Sequence, residues 1–291
     1  MSTSPLDRVP APLLVLVGVL SVQLGAGVAR NLFDELTATG VVLLRVGLSA
    51  LLLLAVLRPK PWQWSRASLG AAVLLGLTLG AMNAVFYLSI RTVPLGVAVT
   101  VEFVGPLLLA LVQTRRWLDG LWVLLAAGGV ALIGLDGSGA PVGGLLLAFL
   151  AGLLWAGYIL ASARVGALLP GTDGLAVALL VATLLVLPFG TAGITGLVEH
   201  PHLLLPALAV AVLSSIVPYG AELAALRRMP TRVFGVLMAL EPTAAAVAGL
   251  VVLGQLLGPR EVVALVLVSA ASAGVTLSRR SKEQLPTQPL E

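Results

Sequence analysis

The sequence predicts an all-α membrane protein of ten transmembrane helices, arranged as two inverted five-helix repeats. Three observations carry that reading. The 291-residue chain is 59% hydrophobic and only 10% charged, where a soluble domain is nearer a quarter charged. Its apolar runs recur at about the length that crosses a bilayer, roughly 20 residues. Two proline pairs, Pro94 with Pro106 and Pro230 with Pro242, share a spacing of twelve residues. Strict alternation of apolar and polar residues is absent, which argues against an outer-membrane barrel.

Apolar runs bounded by Pro, Gly and charged clusters give helices over about 11–29, 37–57, 68–90, 95–113, 119–135, 142–163, 173–190, 203–226, 231–253 and 260–278. The start, Met1 to Pro12, is short and polar. The first run, Leu13 to Ala29, has a small-residue end at Gly27-Val28-Ala29 like a signal peptide. The hydrophobic runs simply continue after it, so it reads as the first span. The tail from Arg279 reads as polar and disordered.

Charge placement orients the bundle. One set of loops and ends carries Arg8, Arg58, Lys60, Arg66, Arg115, Arg116, Arg164, Arg227, Arg228, Arg232, Arg279, Arg280 and Lys282, and the other carries only Arg30, Arg91 and Arg260. This bias puts both termini in the cytoplasm. It also explains the net charge of +4 as a topogenic signal and not a nucleic-acid surface. Trp62, Trp64, Trp117 and Trp122 fall near the cytoplasmic helix ends, where an interfacial belt belongs. The chain has no cysteine, so disulfide and thiol chemistry are excluded.

The repeat follows from spacing. Laying Pro94 on Pro230 puts Pro106 on Pro242, and Gly40 falls on Gly174 and Arg30 on Arg164 at nearly the same offset. Each copy holds five helices, an odd number, so the second enters the membrane from the opposite side. Inverted repeats of this kind build many secondary transporters, with the site near the midplane between the repeats. The expected units are residues 1–136 and 142–279, joined at Asp136-Gly137-Ser138-Gly139, with a cytoplasmic tail at 280–291.

Four charges fall inside predicted helices: Arg45, Glu102, Glu222 and Glu241. Facing lipid, they would cost on the order of 10 kcal/mol together, so they are expected to face inward. Arg45 offers a fork of donors that suits a carboxylate. It serves either a structural pair with Glu102 or Glu241, or a substrate carboxylate. Glu102 lies one turn before Pro106, whose missing N–H frees a nearby carbonyl. Burial and a neighbouring arginine act in opposite senses on a carboxyl group's hold on its proton. Glu102 is therefore a candidate for a substrate amine or a proton, or else for a structural pair. Glu241 precedes Pro242 directly and is a weaker candidate. Glu222 is expected to pair with Arg227 and Arg228 near the cytoplasmic end of its helix.

Neutral groups at helical spacing, Asn83 with Tyr87, Gln23 with Gly27, and Ser215 with Tyr219 and Glu222, are interhelical glue or cavity lining. Together they outline a modest polar cavity suited to a small zwitterion. Pro94, Pro106, Pro230 and Pro242 are the candidate hinges. Metalloprotease, P-loop and nucleophile-elbow signatures are missing, and His200 and His202 lie in a predicted outer loop. No enzyme, metal or cofactor is expected, and active transport would draw on an ion gradient.

The stretch NAVFYLSIRTVPLGVAVTVEFVGPLLLAL (Asn83 to Leu111) resembles the EamA-like drug/metabolite transporter superfamily, in its threonine/homoserine-exporting branch. So do RMPTRVFGVLMALEPTAAAVAG (Arg228 to Gly249) and SVQLGAGVARNLF (Ser21 to Phe33). The resemblance covers nearly the whole chain and implies ten helices in two inverted halves with both ends cytoplasmic. It implies efflux of threonine, homoserine and similar amino acids across the inner membrane, in exchange for protons. Many members end each half with a Gly-Glu pair, whereas this chain has Gln113 and Gln255 there, so no role of that glutamate carries over. The expected partners are a small amino acid, protons and the lipid bilayer, with a homodimer left open. The competing readings are an exporter of another metabolite or a cationic compound, and a membrane scaffold that moves nothing.

Overall fold

A computed structural model of the chain describes residues 9–113, 117–134, 141–169, 171–226, 228–229, 234 and 237–278. Among these, the regular structure is helical and no strand occurs. The elements are α1 (Ala11–Arg30), α2 (Phe33–Leu36), α3 (Ala38–Leu57), α4 (Arg66–Ser89), α5 (Leu95–Glu102), α6 (Val104–Gln113) and α7 (Trp117–Gly134). They continue with α8 (Val142–Leu168), α9 (Asp173–Glu199), α10 (Leu204–Ala211), α11 (Val217–Leu226), α12 (Glu241–Leu253) and α13 (Pro259–Ser278). A π turn, Val212–Ile216, joins α10 to α11. The joint at 136–139, Pro230 and the tail from 279 lie outside the described residues.

In lipid every backbone group must be paired within its own segment, so apolar sequence folds as helix. Local signals set the ends. Thr37 accepts a bond from the Gly40 amide at 3.1 Å to start α3, and Ser65 does the same for Ser68 at the start of α4. These are the side-chain caps that free N-terminal amides need. Gly254, with a φ of +64°, ends α12 in the left-handed region that glycine favours.

Among the described residues, six spans are long and apolar enough to cross a membrane: Ala11–Arg30, Ala38–Leu57, Arg66–Ser89, Val142–Leu168, Asp173–Thr191 and Pro201–Glu222. Shorter apolar stretches occur at Leu95–Leu109, Gly120–Leu132 and Glu241–Leu253. The expected fourth helix is therefore in two pieces, α5 and α6, parted at Phe103. The physical cause is Pro106, which has no N–H to give to the Glu102 carbonyl. The outside of the bundle is apolar, with Leu51, Val56, Phe189 and Val251 all exposed, as a lipid-facing surface requires. Trp62 is exposed as expected of a belt residue. Trp122 is not: its ring lies on α13, where a Cβ at Gly274 would come within 2.6 Å of it.

Helix α4 lies against α8 and α9, and α3 against α9 and α10. Helix α1 packs on α11 and α12, α5 on α8 and α12, and α7 on α13. Small residues permit the closest of these crossings. A Cβ at Gly40 on α3 would fall 2.5 Å from the Cα of Gly193 on α9, so the two backbones touch with no side chain between them.

A candidate transport site

The helices converge on a cavity of about 120 Å³, against the roughly 10–15 Å³ that one water molecule needs. It is sized for a small solute. Gln23, Arg45, Asn83, Tyr87, Glu102, Tyr219 and Glu241 all line it. These seven were drawn from separate stretches of sequence, and the fold brings them to one place.

Arg45 lies in the middle of α3 and is buried. Its Nη1 donates to Asn83 Oδ1 at 2.5 Å and to Tyr87 Oη at 3.2 Å. Its Nε donates to Ser215 Oγ at 3.2 Å and its Nη2 to the Ser214 carbonyl at 2.6 Å. The guanidinium also sits over the Tyr87 ring, 5.6 Å from its centre. All of these partners are neutral. No carboxylate is among the Arg45 partners, so Arg45 is not paired with Glu102 or Glu241 in this conformation. Four bonds engage four of the five guanidinium N–H groups, and one on Nη2 is left over.

Two of the Arg45 contacts depend on the π turn. An α-helix directs every carbonyl along its own axis to an amide further on. The wider turn at Val212–Ile216 instead presents the Ser214 carbonyl and the Ser215 hydroxyl to α3. Ser49 braces the same crossing, its hydroxyl lying 2.8 Å from the Arg45 carbonyl and 3.2 Å from that of Ala211.

Glu102 ends α5 and is buried. Its carbonyl, deprived of a partner by Pro106, packs on α8, where a Cβ at Gly152 would fall 2.2 Å from the oxygen. In return, a Cβ at Gly105 would come within 1.9 Å of the Gly152 carbonyl oxygen. Glycine at both positions lets the broken helix seat itself on α8 and hold Glu102 at the cavity. Glu241 opens α12 and is also buried, with Pro242 next to it in the first turn where proline is tolerated.

Glu222 also lines the cavity; of its two expected partners, Arg227 lies outside the described residues and Arg228 donates to the Val9 carbonyl at 2.6 Å. Trp155, Tyr158 and Ser214 are further wall residues that the sequence reading had not singled out. Trp155 and Tyr158 are three apart on α8 and so share a helical face. That spacing is the signal that points to them. Of the candidate hinges, Pro94 precedes α5, Pro106 sits inside α6 and Pro242 opens α12.

A membrane-embedded helical bundle with a charged cavity at the meeting point of its spans defines a membrane transporter. The sequence profile of the EamA-like transporter family matches residues 142–277. The chain is 42% identical over 276 residues to the threonine/homoserine exporter RhtA of Salmonella typhimurium (strain LT2), covering 94% of this chain and 93% of the relative. It is 41% identical over 275 residues to the threonine/homoserine exporter RhtA of Escherichia coli (strain K12), with the same coverage. A solved crystal structure shares the fold at a TM-score of 0.57 and 17% identity, covering 93% of this chain and 99% of that one. The chain belongs to the EamA-like transporter family, within the drug/metabolite transporter superfamily. Its relatives are transporters and not enzymes.

Proposed function

We propose that this protein exports small amino acids of the threonine and homoserine type across the bacterial inner membrane, in exchange for protons. The observation that carries the reading is the state of Arg45. A buried guanidinium whose partners are all neutral favours an anion beside it. Its remaining N–H suits one oxygen of a substrate carboxylate. Glu102, Glu222 and Glu241 on the same cavity wall supply the opposite charge for an ammonium group or a proton. The relatives named as threonine/homoserine exporters agree with a zwitterion of this size.

The mechanism is alternating access by two inverted five-helix halves with both termini cytoplasmic. Helix contacts support it. Exchanging α1 with α8, α3 with α9, α4 with α10–α11, α5–α6 with α12, and α7 with α13 turns the α4–α8 contact into α11–α1. The same exchange turns α5–α8 into α12–α1 and maps α3–α9, α5–α12 and α7–α13 onto themselves. Among the described residues, bonds between the halves occur at mid-bundle and at both ends, and three lie at the end that carries Arg30, Arg91 and Arg260. There Ser89 donates to Gly144, Thr39 to Phe189 and the Leu95 amide to Gln255, at 2.7, 2.8 and 2.9 Å. Pro94 lies beside one of these three bonds.

The test is export of labelled threonine and homoserine from cells producing the chain, with Glu102→Gln alongside. The expected result is efflux that fails in a normally produced variant. A well-produced wild type that moves neither amino acid overturns the reading.

A further inference from the structure

We propose that Pro218 is a positioning residue for the substrate carboxylate: having no N–H, it leaves the Ser214 carbonyl to Arg45 and so fixes how the guanidinium meets the substrate. The inference rests on the amino-acid reading above and adds to it the residue that sets the carboxylate site. In an α-helix a carbonyl accepts the N–H four residues on. For Ser214 that residue is Pro218, which has no N–H and whose ring collides with the same carbonyl. The helix relieves the collision by widening. The Val217 amide, the last before the proline, reaches back five residues to the Val212 carbonyl, and α-helix resumes from Val217 onward. Val217 thereby passes over the Leu213 carbonyl, whose partner at the wider spacing is again Pro218.

Two carbonyls are thus left to side chains from the other half of the chain. Leu213 takes the Ser21 hydroxyl of α1 at 2.7 Å, and Ser214 takes Nη2 of Arg45 on α3 at 2.6 Å. Ser214 is only 1% exposed, and a buried carbonyl without a donor is costly. The bond is to the backbone alone. The Ser214 hydroxyl lies against Gly25 of α1 and has no partner among the described residues. Pro218 itself lines the cavity, one turn beyond the bond it makes possible. With one Nη2 hydrogen spent on Ser214, the planar guanidinium fixes the direction of the other. That N–H is the one offered to the substrate carboxylate. An amide at position 218 would compete with Arg45 for the Ser214 carbonyl. The guanidinium would then lose one of its four bonds and its fixed direction.

The experiment measures threonine uptake against concentration in everted vesicles holding wild type, Pro218→Ala or Pro188→Ala. Pro218→Ala supplies the competing amide. Pro188 lies inside α9 and is exposed on the outside of the bundle. Its substitution also restores an amide to a helix, but away from the cavity, and is expected to keep the wild-type half-saturation. Pro218→Ala is expected to raise the half-saturating concentration roughly five- to tenfold, about one hydrogen bond to a charged group, with the maximal rate per molecule held within about twofold. A proline that serves structure alone would lower the maximal rate, through fewer working molecules, and leave half-saturation where it was. That result overturns the inference and leaves the amino-acid reading standing. So does a Pro218→Ala protein that matches wild type, or an equal shift in Pro188→Ala. A wild type that moves neither threonine nor homoserine overturns both. If Pro218→Ala is not produced, Pro218→Gly adds the same amide without a Cβ and gives the same readout.

Discussion

Asn83 holds Arg45 across two helices, its side-chain oxygen accepting a guanidinium N–H at 2.5 Å while its own NH2 group donates to the Leu79 carbonyl at 2.8 Å. The amide is thus fixed from behind and cannot turn away from the arginine. Hydrogen bonds to charged groups are worth about 1.5–3 kcal/mol, so Asn83→Leu is expected to raise the half-saturating threonine concentration by roughly tenfold or more. The concentration dependence of efflux in vesicles measures this. An unchanged half-saturation would mean that Arg45 keeps its place without Asn83.

Arg45→Lys keeps the charge and loses the fork. An ammonium has three donors on a point charge and cannot serve Ser215, Asn83, Tyr87 and Ser214 together. The variant is expected to be produced and inserted, yet to lose threonine efflux by at least about tenfold, in line with one to two charge-assisted bonds. Labelled-threonine efflux per unit of protein decides it.

Glu102→Gln preserves size and shape and removes the carboxylate. If Glu102 binds the ammonium or a proton, efflux falls and its dependence on external pH flattens. Measuring efflux across a pH series in both proteins checks this; a variant with wild-type rate and pH profile would assign Glu102 a purely structural place.

Gly152→Ala would set a methyl group 2.2 Å from the Glu102 carbonyl oxygen. Overpacking costs about 1–3 kcal/mol and more where backbone must move. A lower melting temperature in detergent is expected, along with lost efflux as the α5–α6 break is pushed off α8. Gly143→Ala on the same helix meets nothing within 4 Å and is expected to leave both unchanged.

Gln255 accepts the Leu95 amide at the start of α5, at 2.9 Å. Gln255→Glu keeps the acceptor and puts negative charge at a helix N-terminus, which is favourable, so stability is expected to hold or rise. Gln255→Ala leaves the amide without a cap and is expected to cost about 0.5–2 kcal/mol. Thermal melts of the two variants rank them. The Gln255 bond gives the residue at this position a physical task that a glutamate performs equally well.

The site was legible where the sequence departs from its own apolar background. Arg45, Glu102 and Glu241 stand out because charge in a lipid-length run needs a reason, and Asn83 with Tyr87 follows from spacing along one helix. Glu222 was harder to place, because Arg227 and Arg228 are its neighbours in sequence while its own position on the helix puts it on the cavity wall. Trp155 and Tyr158 escaped notice because an aromatic residue in a membrane helix has the same composition signal whether it faces lipid or a solute. The break at Phe103 was half visible: Pro106 announces it, but its position depends on how Gly105 and Gly152 meet. The short helix α2, with Phe33 and Leu36 buried, lies in what reads as a loop and takes its order from packing on α3 and α9.

The π turn at Val212–Ile216 acts as a phase shifter. It accommodates about one more residue than an α-helical turn, which at 3.6 residues per turn rotates everything beyond it by about 100°. On the near side the helix meets Ser49 at Ala211, and at the turn Ser21 reaches the Leu213 carbonyl. On the far side Tyr219 and Glu222 look into the cavity. A single uninterrupted screw would satisfy one of these azimuths and miss the other. A hydropathy trace is blind to that angle, since removing one valine or leucine leaves the average almost untouched while swinging the far half of the rod by more than a quarter of a circle.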